Sequence, residues 1–401
     1  MTNKFLHVRG REIIDGRGRV VFLRGVNFGG WLMKEAYILH APNFAEQKMK
    51  RSFIKSLGPR QWQDFDRGFK DNFISKRDLA EVGRLGLNCV RVPFHHGLIE
   101  KTPYRYDRQG VQYLDRILDW AEESRIYVIL DLHAAAGSQN HDWHSDSLGR
   151  ADFWRGPVRR KRACRLWEFL AGRYAAREYL AGYDLLNEAV VDDAGLLNEY
   201  YHDAIAAIRR HDPNHILFIE GNRWATDIEC LDCFDDGNYV LSLHTYEPLD
   251  LTFNFVPSRK YPSGKKEERY GPDNLRAHLR PYLETARRRG VPLYVGEFGV
   301  NYRGDASGEL RWLEDNLSLF KEHGLHWTYW TFKAVKNFMF PDGVFSYYPN
   351  PPWVNRPGPL SGWDTYCAHW PRHHEAMAES WRTESFECNR PVARLLKTYA
   401  S

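Results

Sequence analysis

Two apolar runs each end by delivering a carboxylate: YDLLNEAV (Tyr183–Val190) carries Asn187 and Glu188, and YVGEFG (Tyr294–Gly299) carries Glu297. A carboxyl group at such a boundary has its proton affinity set by burial and by its neighbours. A pair placed this way can divide labour, one holding its proton as a general acid while the other stays ionised. That division suits cleavage of a glycosidic bond, where a separation of about 5–5.5 Å gives retention and roughly 6.5–9.5 Å gives inversion. Other polar residues stand at comparable positions. Arg91 in VRVPFHH and Tyr246 in LSLHTY are candidates to hold Glu297 ionised, and Asn187 is a candidate donor to a sugar 2-hydroxyl. His133 in ILDLHAAAGSQN and His244 are candidate hydrogen-bonding ligands or orienters, while Trp330 in WTYWTFK is a candidate sugar platform. Asp131 reads as an orienting or capping group, and Glu220 as either a partner behind the site or an ordinary strand end.

Eight β-rich runs must position these groups: Val21–Asn27, Asn88–Val92, Tyr127–Leu132, Gly182–Leu186, Ile216–Glu220, Tyr239–His244, Leu293–Gly296 and His326–Thr331. Between them lie segments with apolar residues at helical spacing: Lys76–Leu85, Val111–Ser124, Val158–Tyr174, Ala194–Arg210, Pro272–Arg289 and Gly308–His323. Near-continuous apolar strands separated by helices predict a parallel sheet covered on both faces. An open doubly wound sheet would carry G-x-G-x-x-G after its first strand, where this chain reads NFGGWL. The prediction is therefore a closed (β/α)8 barrel, with its chemistry at the C-terminal ends of the strands and strands four and seven facing each other across the mouth. The barrel is expected to take up residues 1–401 as one domain. Residues 1–20, with the turn IDGRGR, are read as a hairpin plugging the barrel's N-terminal end. Ala36–Phe73 and Phe253–Gly271 are long loops, 338–370 is an extended Pro- and aromatic-rich loop after strand eight, and a last helix falls near Pro391–Tyr399.

Composition narrows the function classes. The 401-residue chain is 43% hydrophobic with 14 Trp, enough to fill a core and unlike a disordered chain. Its net charge of +4 is a small excess over 56 basic and 52 acidic residues. The basic clusters RRKR (Arg159–Arg162) and ARRRG (Ala286–Gly290) read as solvated helix faces, so no nucleic-acid partner is expected. No stretch is long and apolar enough to span a membrane. With Met1 as the native start and no leader visible, the expected compartment is cytoplasmic; a chain trimmed of a leader would read the same and be secreted. Six cysteines, with one C-x-x-C at Cys230 and Cys233, fit neither a disulfide scaffold nor a zinc site. The His-rich stretches at His95–His96 and His141–Asp146 lack metal-ligand spacing and read as loop hydrogen-bonding or substrate-contact groups, so no metal and no cofactor is expected. Loop tryptophans Trp143, Trp154, Trp224, Trp353 and Trp363 are further candidates for stacking on sugar faces.

The motifs RGVNFGGWL, VRVPF, DLHAAAGSQN, LLNEA, LSLHTY, VGEFG and YWTFK together resemble glycoside hydrolase family 5, the cellulase-like retaining glycosidases. RGVNFGGWLMKE and DLHAAAGSQN are most similar to its exo-β-1,3-glucanase and β-glucosidase branch. The resemblance implies Glu188 as acid/base, Glu297 as nucleophile, and Arg91, His133, Asn187, His244, Tyr246 and Trp330 as further site positions, with Glu35 lining the sugar pocket. It implies double-displacement cleavage of β-glycosidic bonds, exo-acting on β-glucosides or short β-glucans. A β-mannoside, β-galactoside or furanoside substrate, or a non-catalytic carbohydrate-binding barrel, is the alternative. The chain departs from the family in reading NEA in place of NEP, in the loop after strand six, and in the tail PDGVFSYYPNPPWVNRPGPLSGWDTY.

Overall fold

A computed structural model describes residues 4–263, 270–347, 350–354 and 363–400. Its centre is a closed barrel of eight parallel strands: β1 (Arg24–Asn27), β2 (Cys89–His95), β3 (Tyr127–Ala134), β4 (Leu180–Asp184), β5 (Ile216–Glu220), β6 (Tyr239–His244), β7 (Leu293–Phe298) and β8 (His326–Tyr329). Each strand pairs with the next in the chain, and β8 closes on β1 with Trp327 opposite Arg24. Strands such as ILFIE and YVLSLH are buried along their whole length, because helices cover one face and packed side chains fill the other.

The helices form where the apolar spacing places them. Arg108–Ser124 buries Val111, Leu114, Leu118 and Ala121 on one face, and its N-cap Asp107 accepts from the amide of Gln109 at 3.0 Å. Pro272–Arg289 begins on proline and ends at Gly290, whose positive φ of 68° allows its amide to turn back to the carbonyls of Ala286 and Arg287. The alternation fails once: after β5 the chain makes only the four-residue turn Asn222–Ala225 before β6. Among the described residues no helix is long and apolar enough to cross a membrane.

The N-terminal segment packs against residues of the barrel strands. His7–Arg9 pairs with Glu12–Ile14, and Leu6 and Ile13 pack on Leu23, Cys89, Ile129, Phe218 and Tyr294. Its tight turn falls at Gly10; the IDGRGR turn comes afterwards, leading to Val20, which bridges back to Ile14.

The region after β8 differs from its reading as a long loop. Lys333–Val335 and Phe345–Tyr347 join Glu387–Cys388 in a small sheet, and a helix spans Trp363–Ser380. Pro371 inside that helix and a kink at His373 break the apolar period, which is why the pattern hid it. Trp370 packs edge-on against Phe65 at 5.1 Å, so this helix docks on Glu46–Leu57 and Pro59–Phe73, the helices of the long first insertion. The basic clusters are helix faces: Arg162 pairs with Glu100 at 2.9 Å and Arg288 with Glu229 at 2.8 Å.

Candidate active site

The mouth of the barrel is organised around one buried guanidinium. Arg91, projecting from β2, donates through Nε to Asp184 at 2.8 Å, through Nη1 to Glu297 at 2.7 Å and Asn27 at 3.1 Å, and through Nη2 to Asn187 at 2.9 Å and Glu220 at 3.0 Å. Asp131 lies 3.1 Å from the same Nη2. A planar fork of five donors can satisfy so many acceptors only because they converge from different strands of a closed barrel. Arginine can only donate, so its contact with Asn187 Oδ1 fixes the amide orientation. Asn187 Nδ2 is left as a buried donor with no hydrogen-bond partner among the described residues.

Glu188 stands beyond the regular end of β4. Leu185 and Asn187 carry the strand on through amide bonds to Phe218 O at 3.2 Å and Leu132 O at 3.1 Å. Glu188 then adopts a positive φ of 48°, a conformation that costs a non-glycine residue on the order of 1 kcal/mol or more. Neighbouring side chains hold it there. Its amide donates to Glu220 Oε2 at 2.6 Å, and its carbonyl accepts from Asn140 Nδ2 at 2.8 Å. Ala189, where the family pattern has proline, forms a bridge with Asn222, and its carbonyl accepts from the amide of Trp224 at 3.3 Å. The Glu188 carboxylate meets His244 Nδ1 at 2.7 Å and His144 Nε2 at 3.4 Å.

Glu297, near the end of β7, accepts from Arg91 and from the Tyr246 hydroxyl at 2.8 Å, with His244 Nδ1 at 3.6 Å. Burial works against its charge, but His244, Arg91, His133 and the Tyr246 hydroxyl outweigh it and hold the carboxyl down at about 2. Burial also opposes charge on His244, yet Glu220, Glu297 and Glu188 raise its imidazole well above the ordinary value. His133 is likewise lifted to about 10 against burial by Asp131 at 2.7 Å and Glu35 at 3.1 Å. Behind the site, burial and Glu220 push Asp184 up to about 8 despite Arg91. Glu188, His244 and Glu297 each offer a ligand atom within 4.8 Å of the others, a spacing a cation could span. The same acidic neighbours that raise His244 favour its protonated form, which competes with a metal for the ring nitrogens.

These groups open into a cavity of about 740 Å³, lined by Glu35, His133, Glu188, His244, Tyr246, Glu297 and Trp330 among others. Arg91 and Asn187 lie beneath it, fully buried. Trp330 stacks parallel to the His133 ring at 5.6 Å and donates through its indole to the Tyr37 hydroxyl. Of the loop tryptophans, Trp143 and Trp224 line the cavity. Trp154 is buried, with its indole bonded to Gln139 O, and Trp353 packs against His369 and His373. The side chain of Trp363 lies outside the described residues. Sequence reasoning passed over Tyr37 and Asp184, and took Asp142 and His144 only as part of the stretch His141–Asp146. An aspartate inside the apolar run GYDLL was a usable signal for Asp184. Tyr37 reaches the cavity from the long first insertion and left no such trace.

A parallel barrel carrying facing carboxylates at the ends of β4 and β7, in a cavity walled by indole, phenol and imidazole rings, is the architecture of a glycoside hydrolase. The chain belongs to glycosyl hydrolase family 5: the Cellulase family model matches residues 53–336. It is 33% identical over 350 residues to a β-xylosidase of Phanerodontia chrysosporium, covering 82% of this chain and 71% of that protein. It is 28% identical to endoglucanase C of Acetivibrio thermocellus, covering 79% and 92% of the two chains. It is also 29% identical to a probable glucan 1,3-β-glucosidase A of Aspergillus niger, covering 59% and 58%. Among solved structures, one described as a glycoside hydrolase superposes with a TM-score of 0.64 at 20% identity, covering 94% of this chain and 99% of that one. The endoglucanase Cel5A of Thermotoga maritima gives 0.59 at 20% identity, covering 77% and 89%; both establish the fold.

Proposed function

We propose that this protein is a retaining β-glycosidase acting by double displacement, exo-acting on β-glucosides or short β-glucans. The observation that carries the reading is the asymmetry of the carboxylate pair. Glu297 is held ionised by Arg91, His244 and Tyr246, as a nucleophile needs, while Glu188 stands opposite with an oxygen within 4.8 Å of it. That closeness favours a covalent intermediate over the wider gap needed to admit a water in an inverting enzyme.

In the first step Glu297 attacks the anomeric carbon as Glu188 gives its proton to the departing glycosidic oxygen. The products are a glycosyl ester on Glu297 and a free alcohol. In the second, Glu188, now a carboxylate, removes a proton from water. The resulting hydroxide displaces Glu297 and releases the sugar with its original anomeric configuration. Asn187 Nδ2 is positioned as a donor to the sugar 2-hydroxyl, and Trp330, braced by His133, as the face on which the sugar ring lies. Glu35 and His133 are hydrogen-bonding partners for its hydroxyls. The relatives named β-xylosidase and glucan 1,3-β-glucosidase support removal of terminal β-linked sugars, with β-xyloside as the second substrate to test. All six cysteines are free, which favours a reducing, cytoplasmic setting.

A 2-fluoro glycoside with an activated leaving group is the direct test. It is expected to inactivate the enzyme with one label on Glu297, and label on any other residue rejects the assignment. Glu188→Gln is expected to keep activity on substrates with good leaving groups and to recover with azide. Equal loss on good and poor leaving groups removes Glu188 from the acid/base role.

A further inference from the structure

The rim of the cavity is chemically lopsided. On one side stands Trp224, its indole bonded to Asp142 Oδ2 at 2.7 Å beside Arg223. On the other, apolar side chains run without interruption from the reacting centre to solvent. Tyr246, whose hydroxyl meets Glu297, contacts Phe253 at 4.9 Å between ring centres. Phe253 contacts Phe340 at 5.3 Å and Phe255 at 5.4 Å. The run reaches solvent at Phe255, 48% exposed; Phe338 and Met339, 60% and 39% exposed, stand just before Phe340 in the chain, the Phe338 ring 6.3 Å from His40.

These residues come from two loops, those after β6 and after β8, and the loops are tied together. Phe340 N donates to Phe253 O at 3.2 Å, Asn254 Nδ2 to Phe338 O at 2.7 Å, and Asn301 Nδ2 to Phe340 O at 2.8 Å. One backbone bond and two asparagine side chains, Asn301 from the segment after β7, thus satisfy the main chain of both loops, so the shelf is built rather than frayed. A subsite for a further sugar would pair an aromatic face with groups that read hydroxyls. Phe255, Phe338 and Met339 offer no hydrogen-bonding group of that kind. Exposed apolar side chains gathered in this way mark a binding site. Its continuity with the catalytic cavity says what binds: the part of the substrate that leaves.

We propose that this shelf seats an apolar aglycone, so that the preferred substrates are β-glycosides of long-chain alkyl or comparably water-insoluble alcohols. The inference rests on the glycosidase reading above and uses the same reaction: water replaces the alcohol at the anomeric carbon, and Glu188 returns the proton to the alkoxide oxygen.

The test is kcat/KM for methyl, butyl, hexyl and octyl β-glucosides and β-xylosides, all below their critical micelle concentrations. Expected is a rise of about two- to fourfold per added methylene until the shelf is covered. In the double variant Phe255→Gln/Phe338→Gln that slope is expected to flatten. The slope is internally normalised, so a general loss of rate in the variant does not mimic the result. A flat series in the wild-type enzyme, with the short glycosides still cleaved, overturns the proposal and leaves the glycosidase reading intact. A steep slope unchanged in the double variant, or a flat alkyl series beside a steep dependence on oligosaccharide length, overturns it as well. So does a concentration-dependent dimer that Phe338→Gln dissolves, which would assign the shelf to a second copy. If no glycoside is cleaved and the 2-fluoro glycoside leaves no label, the glycosidase reading itself falls.

Discussion

Replacing Arg91 with methionine tests the electrostatic core of the site. The wild-type guanidinium touches four buried carboxylates, Asp131, Asp184, Glu220 and Glu297, at 2.7 to 3.1 Å. Methionine fills similar space but supplies no charge. Removing one partner from a buried ion pair costs about 3–5 kcal/mol, because the other charge is stranded. The structure gives a second measure. Glu297 sits at about 2 against an ordinary 4.5, and at 1.36 kcal/mol per unit that is roughly 3 kcal/mol of stabilisation shared by His244, Arg91, His133 and Tyr246. We expect Arg91→Met to lose about 4 kcal/mol at pH 7 in guanidinium unfolding, together with nearly all activity. The loss is expected to depend on pH. A carboxyl held below its unfolded value contributes stability that is fully present above that value, 4.5, and is lost as pH falls towards 2. The variant lacks Arg91's share of this contribution, and its stranded carboxylates take up protons while still folded. The gap between the two proteins should therefore narrow steadily from pH 7 towards pH 4 and continue to close below it. A gap under about 1 kcal/mol at pH 7, or one that stays constant down to pH 4, would refute the reasoning.

Three further outcomes are expected. Asn187→Ala should lower kcat/KM by about a hundredfold on an ordinary glycoside but by less than about threefold on its 2-deoxy analogue; equal losses would remove the 2-hydroxyl contact. His144→Gln deletes an imidazole 3.4 Å from Glu188 whose charge, opposed by burial, is favoured by Glu188 and Asp142. Without that charge the basic limb of the kcat/KM profile should move up by about half a unit or more, and superimposable profiles would show that His144 only packs. Ile13→Ala, in the N-terminal segment packed against the barrel strands, should cost about 2–4 kcal/mol with KM unchanged, and a shift in KM would mean that this segment communicates with the mouth.

What could be read from the chain followed from how much of each feature is local. Strands such as YVILDL and ILFIE declare themselves because burial on both faces demands unbroken apolar runs, and their last residues declare themselves by ending the run. Glu188 and Glu297 are conspicuous for that reason. The helix Trp363–Ser380 was hidden by Pro371, which interrupts the period that tertiary packing on Phe53 and Phe65 restores. The left-handed turn through Arg223, Trp224 and Ala225 has no glycine to announce it and is held by neighbours distant in sequence. The apolar shelf joins Phe255 to Phe340 across more than eighty residues of chain. Such pairings exist only once the barrel has closed.

The clasp on Glu188 has a consequence for how this enzyme could change. Gln139 bonds the carbonyls of His133 and Asn187, Asn140 bonds that of Glu188, and the amide of Val190 bonds the carbonyl of Gln139. All of these contacts hold main chain, and they come from the first residues of the loop after β3. The next residues, Asp142, Trp143 and His144, turn their side chains into the cavity. Around them the loop is tied back: Asp142 N donates to Asn140 Oδ1 at 2.9 Å, Ser145 Oγ to Asn140 O at 3.1 Å, and Asp146 accepts from Gln47 N at 2.7 Å. Changes confined to the side chains of Trp143 and His144 should therefore reshape the cavity wall while the main chain at Glu188 stays where it was.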